Sequence, residues 1–107
     1  SVPWQTAIDK EFLYHAILNS SLVISAWKEN KLVGLLSAIS DQNINIFITY
    51  FLVHMEYQNQ GIGTLMMDHF IQKSENYHRR ILVSADKARD FYSRYGFKPS
   101  GTSMFIK

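Results

Sequence analysis

The alternation of apolar and polar residues divides the first half of the chain into one helix and three strands. Apolar side chains recur at close to helical spacing over residues 5–18, which predicts a first helix. Three apolar runs follow, and polar turns at 28–31 and 40–43 separate them. The runs cover residues 22–27, 32–39 and 44–53. Consecutive strands joined by such turns predict an antiparallel meander.

The hydrophobic period changes at Gly61, where a second long helix is predicted. The apolar residues of this helix follow a 3.6-residue spacing, and the polar stretch 74–78 closes it. They are Ile62, Leu65, Met66, Met67, Phe70 and Ile71.

The last third of the chain predicts a strand, a helix and a strand. The first of these is a short buried strand at 81–83. Asp86 is suited to begin a helix that runs to about Tyr95, and Gly96 is suited to end it in the left-handed conformation. A final strand is expected at 102–106. The order α-β-β-β-α-β-α-β indicates a single α+β domain over residues 1–107.

Composition narrows the classes of function. The 107 residues include no cysteine, which excludes disulfides and thiolate chemistry, and four scattered histidines do not make a structural zinc site. We therefore expect no metal. The net charge of +2 is too small to predict a nucleic-acid-binding protein. No apolar run is long enough to span a membrane and no signal peptide is apparent, so we expect a cytoplasmic protein.

The segment Gln58-Asn59-Gln60-Gly61-Ile62-Gly63-Thr64 joins the third strand to the second helix, and it carries the candidate chemistry. Its two glycines allow a sharp turn and let an anion approach the backbone closely. The helix start adds unpaired N–H groups and the positive end of the helix dipole. A Walker loop would need a Gly-Lys-Ser/Thr ending, and a dinucleotide fingerprint would need glycine where Met66 stands. The residues thus predict a pyrophosphate-binding turn of another kind.

This turn resembles motif A of the GCN5-related N-acetyltransferase (GNAT) superfamily. A second signature of that superfamily, Ala88-Arg89-Asp90-Phe91-Tyr92-Ser93-Arg94-Tyr95-Gly96-Phe97, follows at the expected distance. The resemblance covers nearly the whole chain. It implies a mixed sheet in which two strands splay apart to admit acetyl-CoA, the acyl donor, and an acceptor that is a small-molecule amine or a peptide.

The resemblance also implies roles for individual residues. Backbone groups of Phe51, Leu52 and Val53 would pair with the pantetheine arm, and the N–H of Val53 or its neighbour would polarise the thioester carbonyl. Residues Asn59 through Thr64 would hold the pyrophosphate, and Tyr92 would be the general acid. The residues of this cofactor-binding set are Phe51, Leu52, Val53, Gln58, Asn59, Gln60, Gly61, Ile62, Gly63 and Thr64.

The general base stays open among four residues. They are His54, Glu56, Tyr50 and Asp41. We rank His54 first because the pKa of a histidine, about 6.5, suits proton transfer near neutrality. Trp4 would either stack on the acceptor or cap the core, and four basic residues flank the expected exit of the 3′-phosphate. These are Arg79, Arg80, Lys87 and Arg89.

The sequence departs from the superfamily pattern at three places, and other interpretations are open. The chain begins at Ser1 without the usual first strand, Ala85 stands where asparagine is common, and Met55 stands where proline is common. The first two motivate an alternative, a non-catalytic acyl-CoA-binding sensor module. A sheet edge left by a missing strand would favour a homodimer. A third interpretation, a small nucleic-acid-binding domain, depends on the basic residues between positions 79 and 94.

Overall fold

The computed structural model describes residues 14–15, 18–84 and 88–99. Tyr14, His15 and Leu18 are helical, in keeping with the end of the first predicted helix. The rest of that helix, Trp4, Ala85, the predicted helix start at Asp86, and the strand predicted at 102–106 lie outside the described residues.

Four described strands form one mixed sheet in the order β1-β2-β3-β4. The strands are β1 (Leu22–Lys28), β2 (Lys31–Ser40), β3 (Asn45–Val53) and β4 (Arg79–Ile81). The first three pair antiparallel, and β4 pairs parallel to β3. The predicted meander and the α+β class are therefore confirmed. The outer strand of this described part of the sheet is β1, and pairing of two copies through it stays a prediction.

The fourth strand lies two residues earlier in the chain than the sequence predicted. The sequence suggested 81–83, whereas the strand is Arg79–Ile81. The reason is that both arginines reach polar partners from within the strand: Arg79 Nε donates to Asn45 Oδ1 at 2.9 Å, and Arg80 Nε donates to Ser74 Oγ at 2.7 Å. Hydrophobicity alone does not reveal such positions.

The long helix α1 (Ile62–Lys73) covers one face of the sheet. Met67 and Phe70 are completely buried and pack against Leu36 and Ile46 of β2 and β3. Gly34 permits close approach, since a Cβ there would stand 2.8 Å from Met66 Cε. Ser74 ends the helix, as the sequence predicted, with its N–H donating to Phe70 O at 3.0 Å.

The short helix α2 (Arg89–Ser93) follows β4 and packs beside the start of α1. Gly96 has a φ of +89°, the left-handed conformation that the sequence predicted. The N–H of Phe97 returns to Tyr92 O at 3.3 Å and closes the turn after the helix.

The feature that positions the site is the short pairing between β3 and β4. Only Asn45, Ile46 and Phe47 of β3 have partners in β4, and these are Arg79, Arg80 and Ile81. From Ile48 to Val53, β3 continues along β2 with no strand of the described sheet on its other side. The sheet therefore opens at the C-terminal end of β3.

Candidate active site

A cleft of about 480 Å³ lies where β3 and β4 separate. The end of β3, the loop after it, the first turn of α1 and helix α2 surround this cleft. Its lining residues are Phe51, Val53, Tyr57, Gln58, Asn59, Gly61, Gly63, Thr64, Ala88, Phe91, Tyr92 and Arg94. The turn before α1 and the segment 88–97, which resemble the two GNAT signatures, thus meet at one site.

Helix α1 presents unpaired amides to this cleft. Gly61 is its N-cap with a φ of +85°, and the first intrahelical bond runs from the Leu65 N–H to Gly61 O at 3.0 Å. The N–H groups of Ile62, Gly63 and Thr64 precede that bond and have no acceptor within the helix. Donors of this kind, at the positive end of a helix dipole, favour an anion.

Gly63 leaves room for such an anion. A Cβ built on it would stand 3.8 Å from the Phe91 ring, 3.9 Å from the Phe51 ring and 3.9 Å from Val53 Cγ2, all of which line the cleft. A side chain at Gly63 would therefore occupy the space between the helix start and α2. The donor set and the space together fit a pyrophosphate.

The loop before α1 is held by side-chain amides. Gln58 Nε2 donates to Val53 O at 3.1 Å and Gln60 Nε2 donates to Glu56 O at 3.3 Å. Asn59 has a φ of +65°, an uncommon conformation for a residue with a side chain. Gln58 and Asn59 line the cleft, whereas Gln60 and Ile62 line a second groove, beside β1.

The end of β3 directs particular backbone groups toward the cleft. The His54 N–H donates to Val33 O at 2.8 Å, which makes Val53 and Gly34 a non-hydrogen-bonded pair of the antiparallel ladder. The backbone N–H of Val53 therefore points away from β2, toward the open edge. By the same alternation, Phe51 also presents its backbone groups there.

Leu52 differs from its two neighbours. It pairs with Leu35, so the alternation turns its backbone groups toward β2, and its side chain is buried on the opposite face of the sheet. The structure thus brings two of the three predicted pantetheine-binding residues to the cleft.

Tyr92 lies on α2 and lines the same cleft as Val53. Its half-buried ring packs against the rings of Phe51, Phe91 and Phe97 at centroid distances of 6.1, 5.3 and 6.0 Å. Burial raises the pKa of the Tyr92 hydroxyl above its ordinary value. The hydroxyl therefore keeps its proton at neutral pH, as a proton donor must.

The candidates for the general base have different surroundings. His54 caps the short 3₁₀ helix Met55–Tyr57, and its Nδ1 accepts the Glu56 N–H at 3.2 Å. This lone pair already has a hydrogen bond, and His54 does not belong to the cleft lining. Tyr50 packs against Leu52, on the face away from the cleft. Glu56 is exposed in the first turn of the 3₁₀ helix.

Asp41 stands in the turn between β2 and β3, at the other end of β3 from the cleft. Its Oδ1 accepts the N–H groups of Asn45, Asn43 and Ile44 at 3.0, 3.0 and 2.8 Å. These bonds hold the pKa of the Asp41 carboxyl well below its usual range, and the bond from the Asn45 N–H contributes most. We therefore assign Asp41 to the turn, and the base stays a prediction.

Sequence reasoning did not assign four lining residues to the site: Tyr57, Ala88, Phe91 and Arg94. Three of them belong to α2 or its caps: Ala88 is the N-cap, Phe91 lies within the helix and Arg94 is the C-cap. The sequence signal for these three is their place in the second signature, three residues apart along the chain. Tyr57 is found only in the structure, where Lys28 and Lys31 place their ammonium groups 5.6 and 5.3 Å from its ring centre.

Two of the four basic residues expected near the 3′-phosphate have other partners. Arg79 bonds Asn45, and Arg80 Nη2 donates to the carbonyls of Ile71 and Ser74, each at 3.2 Å. Arg80 therefore lies at the C-terminal end of α1, whereas the cleft is at its N-terminal end.

Comparison with known proteins identifies the family. A family model described as an acetyltransferase (GNAT) domain matches residues 2–106. The chain belongs to the GNAT acetyltransferase family. A relative named as an uncharacterized N-acetyltransferase ycf52, from Gracilaria tenuistipitata var. liui, is 29% identical over 85% of the chain. That match covers 48% of the relative, so the chain spans about half the length of this curated protein.

Solved structures support the GNAT fold. A probable acetyltransferase of unknown function from meticillin-resistant Staphylococcus aureus is similar, with a TM-score of 0.79 and 24% identity over 92% of this chain and 79% of that one. A GNAT family acetyltransferase from Elizabethkingia anophelis, solved with acetyl-CoA bound, has a TM-score of 0.74 and 20% identity over 94% and 71% of the two chains. Among the described residues, no helix combines the length and hydropathy of a transmembrane span.

Proposed function

We propose that residues 1–107 form one N-acetyltransferase domain that moves an acetyl group from acetyl-CoA to the amine of a small molecule or peptide. The observation that carries this proposal is the cleft at the separated strands, where the amides of the α1 N-terminus, the Val53 N–H and the Tyr92 side chain come together. Family membership supports the donor, and the relative named as an N-acetyltransferase supports an amine acceptor.

The donor fits the cleft in two parts. The amides of Ile62, Gly63 and Thr64 would hold the pyrophosphate, with Gly63 leaving the space for it. The backbone groups of Phe51 and Val53 that face the open edge would pair with the pantetheine amides, in the manner of an added strand. Both sets of donors are backbone groups of a strand and a helix that are already formed, so little order has to be gained on binding.

Acetyl-CoA supplies an activated thioester to this site. The Val53 N–H would donate to the thioester oxygen as negative charge develops there, and a preorganised donor of this kind stabilises a transition state by about 3–4 kcal/mol in other enzymes. The Tyr92 hydroxyl would give its proton to the departing sulfur. The attacking amine must first lose its own proton, because a free alkyl ammonium has a pKa of about 10.4.

The proposal is tested by following free thiol release from acetyl-CoA in the presence of amines, including polyamines and peptides with free N-termini. We expect turnover with at least one acceptor. In the same assay, Tyr92→Phe should lower kcat by about 100-fold or more, since general acid catalysis contributes on that scale. Calorimetry should show that the affinity of this variant for CoA is unchanged.

Tyr95→Phe is the matched control. Tyr95 lies on the turn after α2, and its hydroxyl donates to Thr64 O at a long 3.4 Å, outside the cleft lining. This variant should keep the activity of the parent. Equal loss of kcat and CoA affinity in Tyr92→Phe would show a structural role for Tyr92. Tight CoA binding without transfer to any amine would favour the acyl-CoA sensor instead.

A further inference from the structure

The loop of the cleft carries no positive charge of its own. Gln58, Asn59 and Gln60 are neutral, so the loop offers amides to a diphosphate, which is a multiply charged anion. Among the described lining residues, Arg94 is the one cationic side chain, and none of them is acidic. The electrostatic character of the cleft therefore depends on the α1 N-terminus and on Arg94.

Arg94 is held near that helix end by packing. Its guanidinium carbon stands 5.7 Å from the centre of the Phe91 ring, and Phe91 packs in turn against Phe51 at 5.9 Å and Tyr95 at 5.4 Å. The Phe91 ring also lies beside the first turn of α1, since a Cβ on Gly63 would stand 3.8 Å from it. A cation–π contact of this kind uses none of the guanidinium N–H donors for hydrogen bonds, so they can still bind an anion.

The polar contacts of Arg94 within the described residues leave most of its donors unused. Arg94 Nε lies 3.4 Å from Asp90 O, a weak hydrogen bond, and the side chain is exposed. A planar guanidinium matches two phosphate oxygens at once, which makes arginine the preferred residue for this kind of recognition.

From this arrangement we propose that Arg94 binds the pyrophosphate of CoA, opposite the amides of Gly63 and Thr64, and supplies the charge that the neutral loop lacks. The inference rests on the proposed function, since it concerns the same cleft. It assigns Arg94 to the diphosphate and not to the 3′-phosphate, because Arg94 shares the cleft with the first turn of α1.

Calorimetric titration with CoA and with dephospho-CoA, which lacks the 3′-phosphate, separates the two assignments. Arg94→Gln should weaken the binding of both ligands by the same factor, about 10- to 100-fold, as expected for the loss of hydrogen bonds to a charged group. Arg94→Lys keeps the charge without the planar fork and should bind both ligands with intermediate affinity.

Lys73→Gln is the matched control, since it removes the same charge from the far end of α1. It should leave both affinities close to those of the parent. A loss for CoA without a loss for dephospho-CoA would overturn the assignment to the diphosphate. Equal effects of Arg94→Gln and Lys73→Gln would overturn the role of Arg94 while the proposed function stands. Failure of the parent itself to bind either ligand would overturn the proposed function and this inference with it.

Discussion

At the scale of single residues, the two glycines of the turn have different tasks. Gly61 has a φ of +85°, and a Cβ added to it would meet no atom within 4 Å, so its requirement is conformational. Gly63 has no such constraint, and a side chain there would enter the cleft. Gly61 therefore allows the turn to form, whereas Gly63 keeps the cleft open.

This difference predicts opposite results for two substitutions. Gly61→Ala should lower the free energy of unfolding by about 1–2 kcal/mol, the strain of a left-handed alanine, and should weaken CoA binding less than Gly63→Val does. Gly63→Val should weaken CoA binding at least tenfold, with Gly63→Ala between the parent and valine. Thermal melting and calorimetry measure the two effects. If Gly63→Val bound CoA as well as the parent, the anion would have to lie elsewhere.

The residues of the candidate site were predictable where the local sequence determines their position. The turn into α1 follows from glycines at fixed spacing, and Tyr92 follows from a motif. The orientation of the Leu52 backbone groups did not follow, because it depends on which pairs of the β2–β3 ladder are hydrogen-bonded. Arg94 was also missed, since its place in the cleft arises from the packing of Phe91 against Phe51.

At the scale of elements, the antiparallel strands were predictable and the parallel strand was less so. The meander has strong alternation and polar turns, and its three strands agree with the prediction within a residue or so at either end. The β4 strand has three residues, and its place depends on pairing with the distant Asn45–Phe47 stretch. Long-range pairing of this kind leaves little trace in local hydrophobicity.

The turn between β2 and β3 offers a prediction at this scale. Asp41 accepts three backbone N–H groups and the Nδ2 of Asn45 at 3.0 Å, so it orders the start of β3. Asp41→Ala should therefore lower Tm by several degrees at pH 7. Because the pKa of Asp41 is depressed in the folded state, its contribution is fully present above about pH 4 and is lost as the pH falls further.

Circular dichroism melts of the parent and Asp41→Ala between pH 7 and pH 2 test this dependence. The difference in Tm should shrink as the pH falls below about 4. Asp68→Ala, which removes an exposed carboxyl from α1, is the control and should show little difference from the parent at either pH. If the difference in Tm stayed constant down to pH 2, the ionised Asp41 carboxylate would not be what stabilises the turn.

At the scale of the whole molecule, the opened sheet links stability to ligand binding. The described core lies between α1 and the strands, whereas α2 contacts the rest of the chain mainly through aromatic side chains around the cleft. A ligand that binds both the α1 N-terminus and the end of β3 would add contacts between the helix and the open edge of the sheet. A ligand that binds the folded state, and not the unfolded one, must raise its stability.

Coenzyme A at 100 times its dissociation constant should therefore stabilise the chain by about 2.7 kcal/mol. For a domain of this size that corresponds to a rise in Tm of about 10 °C or more, and the rise should grow with the logarithm of the CoA concentration. Gly63→Val should melt without this dependence because its cleft is obstructed, whereas Tyr92→Phe should keep it. A Tm of the parent that did not respond to CoA would contradict the cleft as its binding site.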